Sequence, residues 1–389
     1  MITRIKNGKL IIGDDIICDK FLYFEDGCIT HITEDALPFD QEIDAQENYV
    51  SPGFIDIHVH GGSAREFVDA TEDAVLTVAN THAVHGTTTI YPTLSAYNYD
   101  ITVNTLEAIQ NCIGRDELLP NIAGVHLEGP YFSPNQVGAQ DPRFIRNPDK
   151  NEYEKIVEKY GHLIKRWSYA PEREGAIEFQ DFLMKHNIIG SAAHTDAEYD
   201  HVKEAYDHGL RNITHLYSCT STITRHGGFR HLGVIESAWI LDDMYVETIA
   251  DGCHLPPQLL AMIYKLKGPH HMCLVTDATR FGGVTDFSNI DTSVGPKKVA
   301  YIIEDGVAKL ADRSAFAGSI ATTDTLVRVC YKRAGIPLTD AVKMITEIPA
   351  TIMCLDKKGA LKVGHDADIV IFDDDVNLDC VIVNGRRIV

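Results

Sequence analysis

Apolar and polar residues follow two rhythms along this chain. Over residues 1–52 they alternate: RIKNGKLII, DKFLYFEDGCITHI and DAQENYV read as short strands, with Asn-Gly and Asp-Gly as hairpin signals. The end of the chain, GALKVGHDADIVIFDDDVNLDCVIVNGRRIV, alternates in the same way and carries another Asn-Gly. A strand-rich start and end around a different middle imply one small β-sandwich domain, built from residues 1–52 and 358–389, with the middle inserted into it. In residues 53–357 the rhythm changes to near-continuous apolar runs separated by helical patterns. Eight such runs each end in polar residues: GFIDIHVHGG, TTTIYPTLS, IAGVHLEGP, KRWSYAPE, IIGSAAHTD, NITHLYS, YVETIADGCH and MCLVTDAT. Runs of that kind suit parallel strands buried on both faces. Between them, AVLTVANTHAVHG, EFQDFLMKHN, EYDHVKEAYDHG and PPQLLAMIYKLKG repeat at helical spacing.

Eight strand-helix units predict an α/β fold, a (β/α)8 barrel of the TIM type. An open doubly wound sheet is the competing arrangement, but neither GxGxxG nor GxxxxGK[ST] follows the first strand. KKVAYIIEDGVAKLAD, after the eighth strand, reads as an inserted hairpin; TDTLVRVCYKRAG and LTDAVKMITEIPATIMC read as late helices.

In a barrel of this kind chemistry sits at the C-terminal ends of the strands. Strand one ends in His58 and His60, strand three in His126 and Glu128, strand five in His194, strand six in His215, strand seven in His254 and strand eight in Asp277. A single strand-end histidine is more often a hydrogen-bonded core residue than a ligand. Convergence at one end of six strands is what changes the reading. Glu128, His194 and His215 supply the carboxylate and two imidazoles of a catalytic zinc site that keeps a position open for water. Asp277 is placed to take a proton from that water and return it to a leaving group. His58 and His60, two apart, share a strand face; they could bind a second metal, line the substrate or pack. His126 is expected to orient a neighbour by hydrogen bonding rather than to ligate. His82, His85, His162, His186, His201 and His208 fall in helices or loops and are expected to be solvated.

Composition narrows the function classes. With 35 Lys+Arg against 56 Asp+Glu the formal charge is −21, which disfavours nucleic acid and anionic membranes as partners. No window approaches the ~18 apolar residues of a membrane span, and the start lacks the pattern of a signal peptide, so a cytoplasmic location is expected. Nine Cys without a CxxC pair suggest neither a disulfide scaffold nor a zinc ribbon.

The motifs SPGFIDIHVHGG, GVHLEGPYFSPNQVGAQDPRFI, YAPE, HTDA, THLYS, IADGCHLPP, VTDAT, FAGS and GALKVGHDADIVIFD, in that order, closely resemble the amidohydrolase superfamily and, within it, the N-acetylglucosamine-6-phosphate deacetylases. The resemblance implies hydrolysis of the acetamide of N-acetylglucosamine 6-phosphate. It implies one or two divalent metals per chain, zinc first, with iron, cobalt or nickel as alternatives. Glu128, His194 and His215 would hold the catalytic metal, with Asp277 as base and then acid. His254 would contact the sugar or the amide oxygen, and Gln140 stands where some members carry His. His58 and His60 match members whose strand-one pair binds a second metal. A carboxylated-lysine centre is disfavoured, because Lys165 lies near the beginning of strand four.

Two stretches depart from the family. After THLY the chain reads Ser218, Cys219, Thr220, Ser221, Thr222, where relatives use Asn-Ala-Met at the phosphate. The following TITRHGGFRHLGV is longer than usual and offers Arg225 and Arg230, either of which could bind the phosphate, across a homodimer interface as the family suggests. VTDATRFGG also brings Arg280 near the site, where small residues are usual. The expected partner is thus a phosphorylated amino sugar. The alternatives are another N-acetylated amino sugar, phosphorylated or not, and a non-catalytic sugar-phosphate binding barrel.

Overall fold

The computed structural model of the chain describes residues 1–288 and 301–389. Eight parallel strands run in barrel order: Phe54–Val59, Thr87–Leu94, Val125–Glu128, Ile164–Tyr169, Ile189–Ala192, Asn212–Ile213, Tyr245–Ile249 and Met272–Val275. They are the eight runs expected from the sequence, and all six residues of strand one and all eight of strand two are buried. The ladder is continuous from strand one to strand eight. The seam between eight and one is closed just past the strand ends, where Asp277 N donates to His58 O at 2.9 Å and His60 N to Ala278 O at 2.8 Å.

Register sets the height of the site. Ala192 pairs with Ile213, so His194 and His215, each two residues further on, emerge at one level. Ile249 pairs with Val275, which does the same for Asp251 and Asp277.

Helices cover the barrel, and three of them begin at accepting side-chain caps. Thr71 caps Glu72–Ala83, Asn98 caps Tyr99–Cys112 and Asp149 caps Lys150–Tyr160, each accepting from a backbone N–H of the first turn. Two late helices are less regular than expected. Thr323–Arg328 runs into a π-helical turn at Val329–Arg333, and the next stretch splits into Leu338–Ile345 and Glu347–Ile352. The split falls at Thr346, so that Pro349 sits in the first turn of a new helix, where its missing N–H costs nothing.

The terminal segments build two sheets, the first from the N-terminal segment alone and the second from both. One contains Thr3–Lys6, Phe21–Glu25, Cys28–Thr33 and Gln41–Asp44; the other contains Lys9–Ile12, Asp15–Ile17, Tyr49–Pro52, Ile369–Phe372, Leu378–Val383 and Arg386–Arg387. They share a core of Ile5, Leu22, Phe24 and Ile29 from the first with Leu10, Val50, Ile369, Ile371 and Ile382 from the second.

The hairpin signals did not all mean hairpins. Asp26–Gly27, Asp305–Gly306 and Asn384–Gly385 join antiparallel strands, and both residues of each pair have positive φ. That is the backbone a two-residue hairpin turn requires. At Asn7–Gly8 only Asn7 has it (φ 52), and the chain crosses there from one sheet to the other. The inserted hairpin after strand eight is Tyr301–Glu304 with Val307–Leu310; the start of that sequence stretch lies outside the described residues. No helix among the described residues is long and apolar enough to cross a membrane.

Candidate active site

The strand-end residues meet in one buried cluster. Glu128 Oε1 lies 3.2 Å from His194 Nε2 and 3.0 Å from His215 Nε2. Its other oxygen lies 3.3 Å from His60 Nε2. Asp277 Oδ1 is 3.2 Å from His60 Nε2 and 3.5 Å from His58 Nε2, and the two His Nε2 atoms are themselves 3.2 Å apart. Two sets of donor atoms result, Glu128–His194–His215 and His58–His60–Asp277, each compact enough to share one ion.

The backbone that presents these groups is unusual. His194, His215 and Asp277 have φ of 44°, 30° and 46°, a left-handed conformation that costs a side-chain-bearing residue of order 1–3 kcal/mol. Each is clamped. Ser133 N donates to His194 O, Ser218 N to His215 O and Ser319 N to Asp277 O, each at 2.9 Å. Gly318, of the FAGS motif, packs so close to Asp277 that a Cβ there would lie 2.8 Å from Asp277 O. Its own φ of +68° also favours glycine.

The imidazoles are oriented from behind. His194 Nδ1 donates to Gln136 O at 2.7 Å, and His60 Nδ1 to Thr93 O at 3.2 Å. His58 Nδ1 donates to Glu247 Oε2 at 3.3 Å. In all three the Nδ1–H is used, so the Nε2 lone pair faces the cluster, as metal-ligating histidines are held. With two carboxylates and four inward Nε2 atoms packed at 3.0–3.5 Å, the donor set fits divalent metal ions. Burial alone would raise the carboxyls, but imidazoles protonated at Nε2, supplying the positive charge a bound cation would, outweigh it. His58, His194 and His215 hold Glu128 well below the carboxylate range, and His58, His60 and His215 hold Asp277 at about 2. Both are carboxylates at neutral pH, ready to ligate or accept a proton.

Above the cluster opens a pocket of about 200 Å³. Gln140, Ser218, Cys219 and His254 line it, with Ser95, Glu66, Tyr301 and Phe316. His254 Nδ1 donates to Asp251 Oδ2 at 2.7 Å, which leaves Nε2 as the nitrogen able to meet a ligand, and the Phe316 ring packs edge-on 4.8 Å away. Cys219 sits under Gly138, where a Cβ would come within 2.5 Å of its Sγ.

Three expectations need correction or refinement. Arg225 and Arg230 are not in this pocket: they lie opposite each other on an exposed hairpin, Thr224–His226 with Phe229–His231. Arg280 is buried and turned towards Glu66 and Asp69, 3.8 and 3.7 Å away, rather than into the site. His82 is not solvated: it is fully buried, its Nε2 2.9 Å from Gly61 O, because its helix packs against the loop after strand one. His126 belongs to neither donor group. Its nitrogens lie 2.7 Å from Ser168 Oγ and 3.3 Å from Thr93 Oγ1.

Sequence reasoning passed over Asp251, Glu172 and Asp196. Asp196 gathers the side chains of Ser133, Asn135 and Gln136, fixing the loop whose carbonyl orients His194. Glu172, the Glu of YAPE, accepts Asp196 N at 2.9 Å and the Thr195 hydroxyl. An acidic residue just past a strand end was the available signal for all three.

A model of the amidohydrolase family matches residues 49–388. The chain is 29% identical to an N-acetylglucosamine-6-phosphate deacetylase of Bacillus subtilis (strain 168), over 98% of this chain and 96% of that one. Its structure is similar to the crystal structure of an N-acetylglucosamine-6-phosphate deacetylase from Pasteurella multocida, with TM-score 0.91 and 26% identity over 100% and 99% of the two chains. It is also similar to a variant of the Mycobacterium smegmatis deacetylase in complex with N-acetyl-D-glucosamine-6-phosphate, with TM-score 0.89 and 26% identity over 100% and 99%.

Proposed function

The chain belongs to the amidohydrolase family, and from that premise we propose that it is a metal-dependent hydrolase that converts N-acetylglucosamine 6-phosphate to glucosamine 6-phosphate and acetate. The observation that carries this reading is the meeting of Glu128, His194 and His215 with Asp277 beneath one pocket. The relatives of that name, matched along almost the whole chain, support it.

Glu128, His194 and His215 would hold the catalytic metal, zinc, iron, cobalt or nickel, and His58 and His60 with Asp277 a second. A divalent ion bound there lowers the pKa of a water to about 7 and polarises a carbonyl. The rest of the chemistry falls to the protein's own groups. Asp277 accepts a proton as the water oxygen bonds to the acetyl carbon. Gln140 and His254 steady the carbonyl oxygen or the sugar as charge builds up. Asp277 then delivers its proton to the amide nitrogen, the C–N bond breaks, and acetate and the free amine leave. Gln140 acts electrostatically, since a neutral amide donates a hydrogen bond without transferring its proton.

Ser218 and Cys219 border the sugar. The phosphate would be held by Arg225 or Arg230 of a second copy, in a homodimer. Supporting this, neither Arg lines the pocket of its own chain, and their hairpin projects with Phe229 76% exposed. A sugar phosphate cannot cross a bilayer unaided, which supports action in the cytoplasm. Acetate release from N-acetylglucosamine 6-phosphate, before and after chelation and with metal added back, tests the activity. Hydrolysis unaffected by complete metal removal overturns it. A panel of phosphorylated and plain N-acetyl hexosamines tests the substrate, and preference for a plain sugar would refute the phosphate assignment.

A further inference from the structure

A second charged layer crosses the barrel interior below the strand-end cluster. Arg166, on strand four, and Glu247, on strand seven, are both fully buried and form an ion pair. The catalytic scheme above uses neither. Stability alone is a poor reason to keep such a pair, because apolar replacement of both partners is often neutral or favourable.

What the pair touches is more informative. Glu247 Oε2 accepts from His58 Nδ1 at 3.3 Å and from the backbone N of His215 at 3.4 Å. Its Oε1 takes Arg166 and, at 3.1 Å, Asn212 Nδ2. Arg166 in turn donates to Ser191 Oγ at 3.0 Å, Thr214 Oγ1 at 2.9 Å and Ile57 O at 3.4 Å, contacts on strands five, six and one or just beyond them. The carboxylate is therefore fixed in one rotamer, by partners from across the barrel, with one oxygen aimed at the His58 ring.

We propose that Glu247, anchored by Arg166, is a positioning residue that makes His58 a ligand of a second divalent ion in the His58–His60–Asp277 group. The inference rests on the reading of the cluster as a metal centre. An imidazole offers a metal only the nitrogen that carries no proton. By taking the Nδ1–H, Glu247 turns the Nε2 lone pair towards His60 and Asp277 and raises its basicity. Arg166 neutralises the carboxylate and keeps it below the cluster, so Glu247 orients a ligand without becoming one. The two donor groups are supported differently. His58 depends on a side-chain partner at its ring, whereas among the described residues His215 Nδ1 has no hydrogen-bond partner and Glu247 reaches only its backbone.

Metal binding tests this directly. Glu247→Gln alone strands the Arg166 charge in the barrel and can prevent folding, so the deciding protein is the double variant Arg166→Met with Glu247→Leu. Purified full-length chains are stripped, loaded with zinc, and measured by elemental analysis and chelator competition. A cooperative melt of the metal-free double variant reports that the barrel is intact. Two equivalents per wild-type chain are expected, with the double variant keeping one of them unchanged and binding the other about 10–100-fold more weakly. A folded double variant with wild-type content and release profile overturns the proposal. So does equal loss of both ions, or a wild type that takes up only one. Acetate release is not read here, so a chain that binds two ions but hydrolyses nothing would sink the proposed activity and leave this inference standing.

Discussion

Gln140 donates from Nε2 to Glu128 Oε2 at 2.6 Å, while its Oε1 accepts Ala96 N at 3.0 Å. One amide thus ties the loops after strands two and three to the carboxylate of the Glu128–His194–His215 group. Gln140→Leu removes the donor and leaves a buried carboxylate oxygen short of a partner. The expected result is a loss of about 10–100-fold in kcat/KM, with metal bound more weakly. Gln140→Glu should be worse, because it sets a second carboxylate against Glu128 in a buried site. Steady-state kinetics with metal content on the same samples checks both, and a Gln140→Glu variant as active as wild type would remove Gln140 from the site.

Asp277 is assigned the proton transfers, and Asp277→Asn keeps its shape while removing the basic oxygen. Turnover should fall by about 10²–10⁴-fold, the usual contribution of a positioned acid–base group. The ion at Glu128, His194 and His215 should remain, since Asp277 is not in that set. Near-normal acetate release by this variant would refute the role.

Much of this was legible in the chain because barrel strands announce themselves twice. Their buried runs are nearly continuous, and their polar ends fall where chemistry is done. Glu128, His194, His215 and Asp277 were legible for that reason. Legibility ended where function depends on distance across the barrel rather than on position along a strand. Arg166 in KRWSY and Glu247 in YVETIA are charges inside apolar runs, a recognisable anomaly. Nothing local shows that they face each other, because they are 81 residues apart. Asn7–Gly8 failed for the opposite reason: its dipeptide is a strong local signal, overridden by tertiary pairing with two different sheets.

The hairpin carrying Arg225 and Arg230 offers a test that separates folding from assembly. A double variant, Arg225→Ala with Arg230→Ala, removes two exposed cations and should leave the melting temperature nearly unchanged. If a second copy supplies the phosphate contact, KM for the phosphorylated sugar should rise about 10–100-fold, the scale of lost hydrogen bonds to a charged group. Mixed assembly with Asp277→Asn chains should then restore activity, because one hybrid pocket has both an intact Asp277 and an intact hairpin. No recovery on mixing, with dimers verified by sedimentation, would rule out the shared site.

His82 makes the barrel itself acid-sensitive. Burial pushes its pKa from 6.5 down to about 4, so the folded chain keeps it neutral while the unfolded chain takes up a proton. Above pH 6.5 both states are neutral and pH does not change its contribution. Below that, the unfolded state binds more protons, and stability falls as pH drops towards 4, by about 1.4 kcal/mol per pH unit at most. Gln at this position can still donate to Gly61 O but cannot be protonated. His82→Gln should therefore cost some stability at pH 7.5 and lose less than the wild type on going to pH 4.5. Urea midpoints of the metal-free proteins at several pH values between these limits measure the difference. Measuring without metal keeps ligand protonation at the cluster from entering as ion release. Parallel pH profiles for the two proteins would show that His82 is not the buried, neutral group that its 2.9 Å contact with Gly61 O makes it.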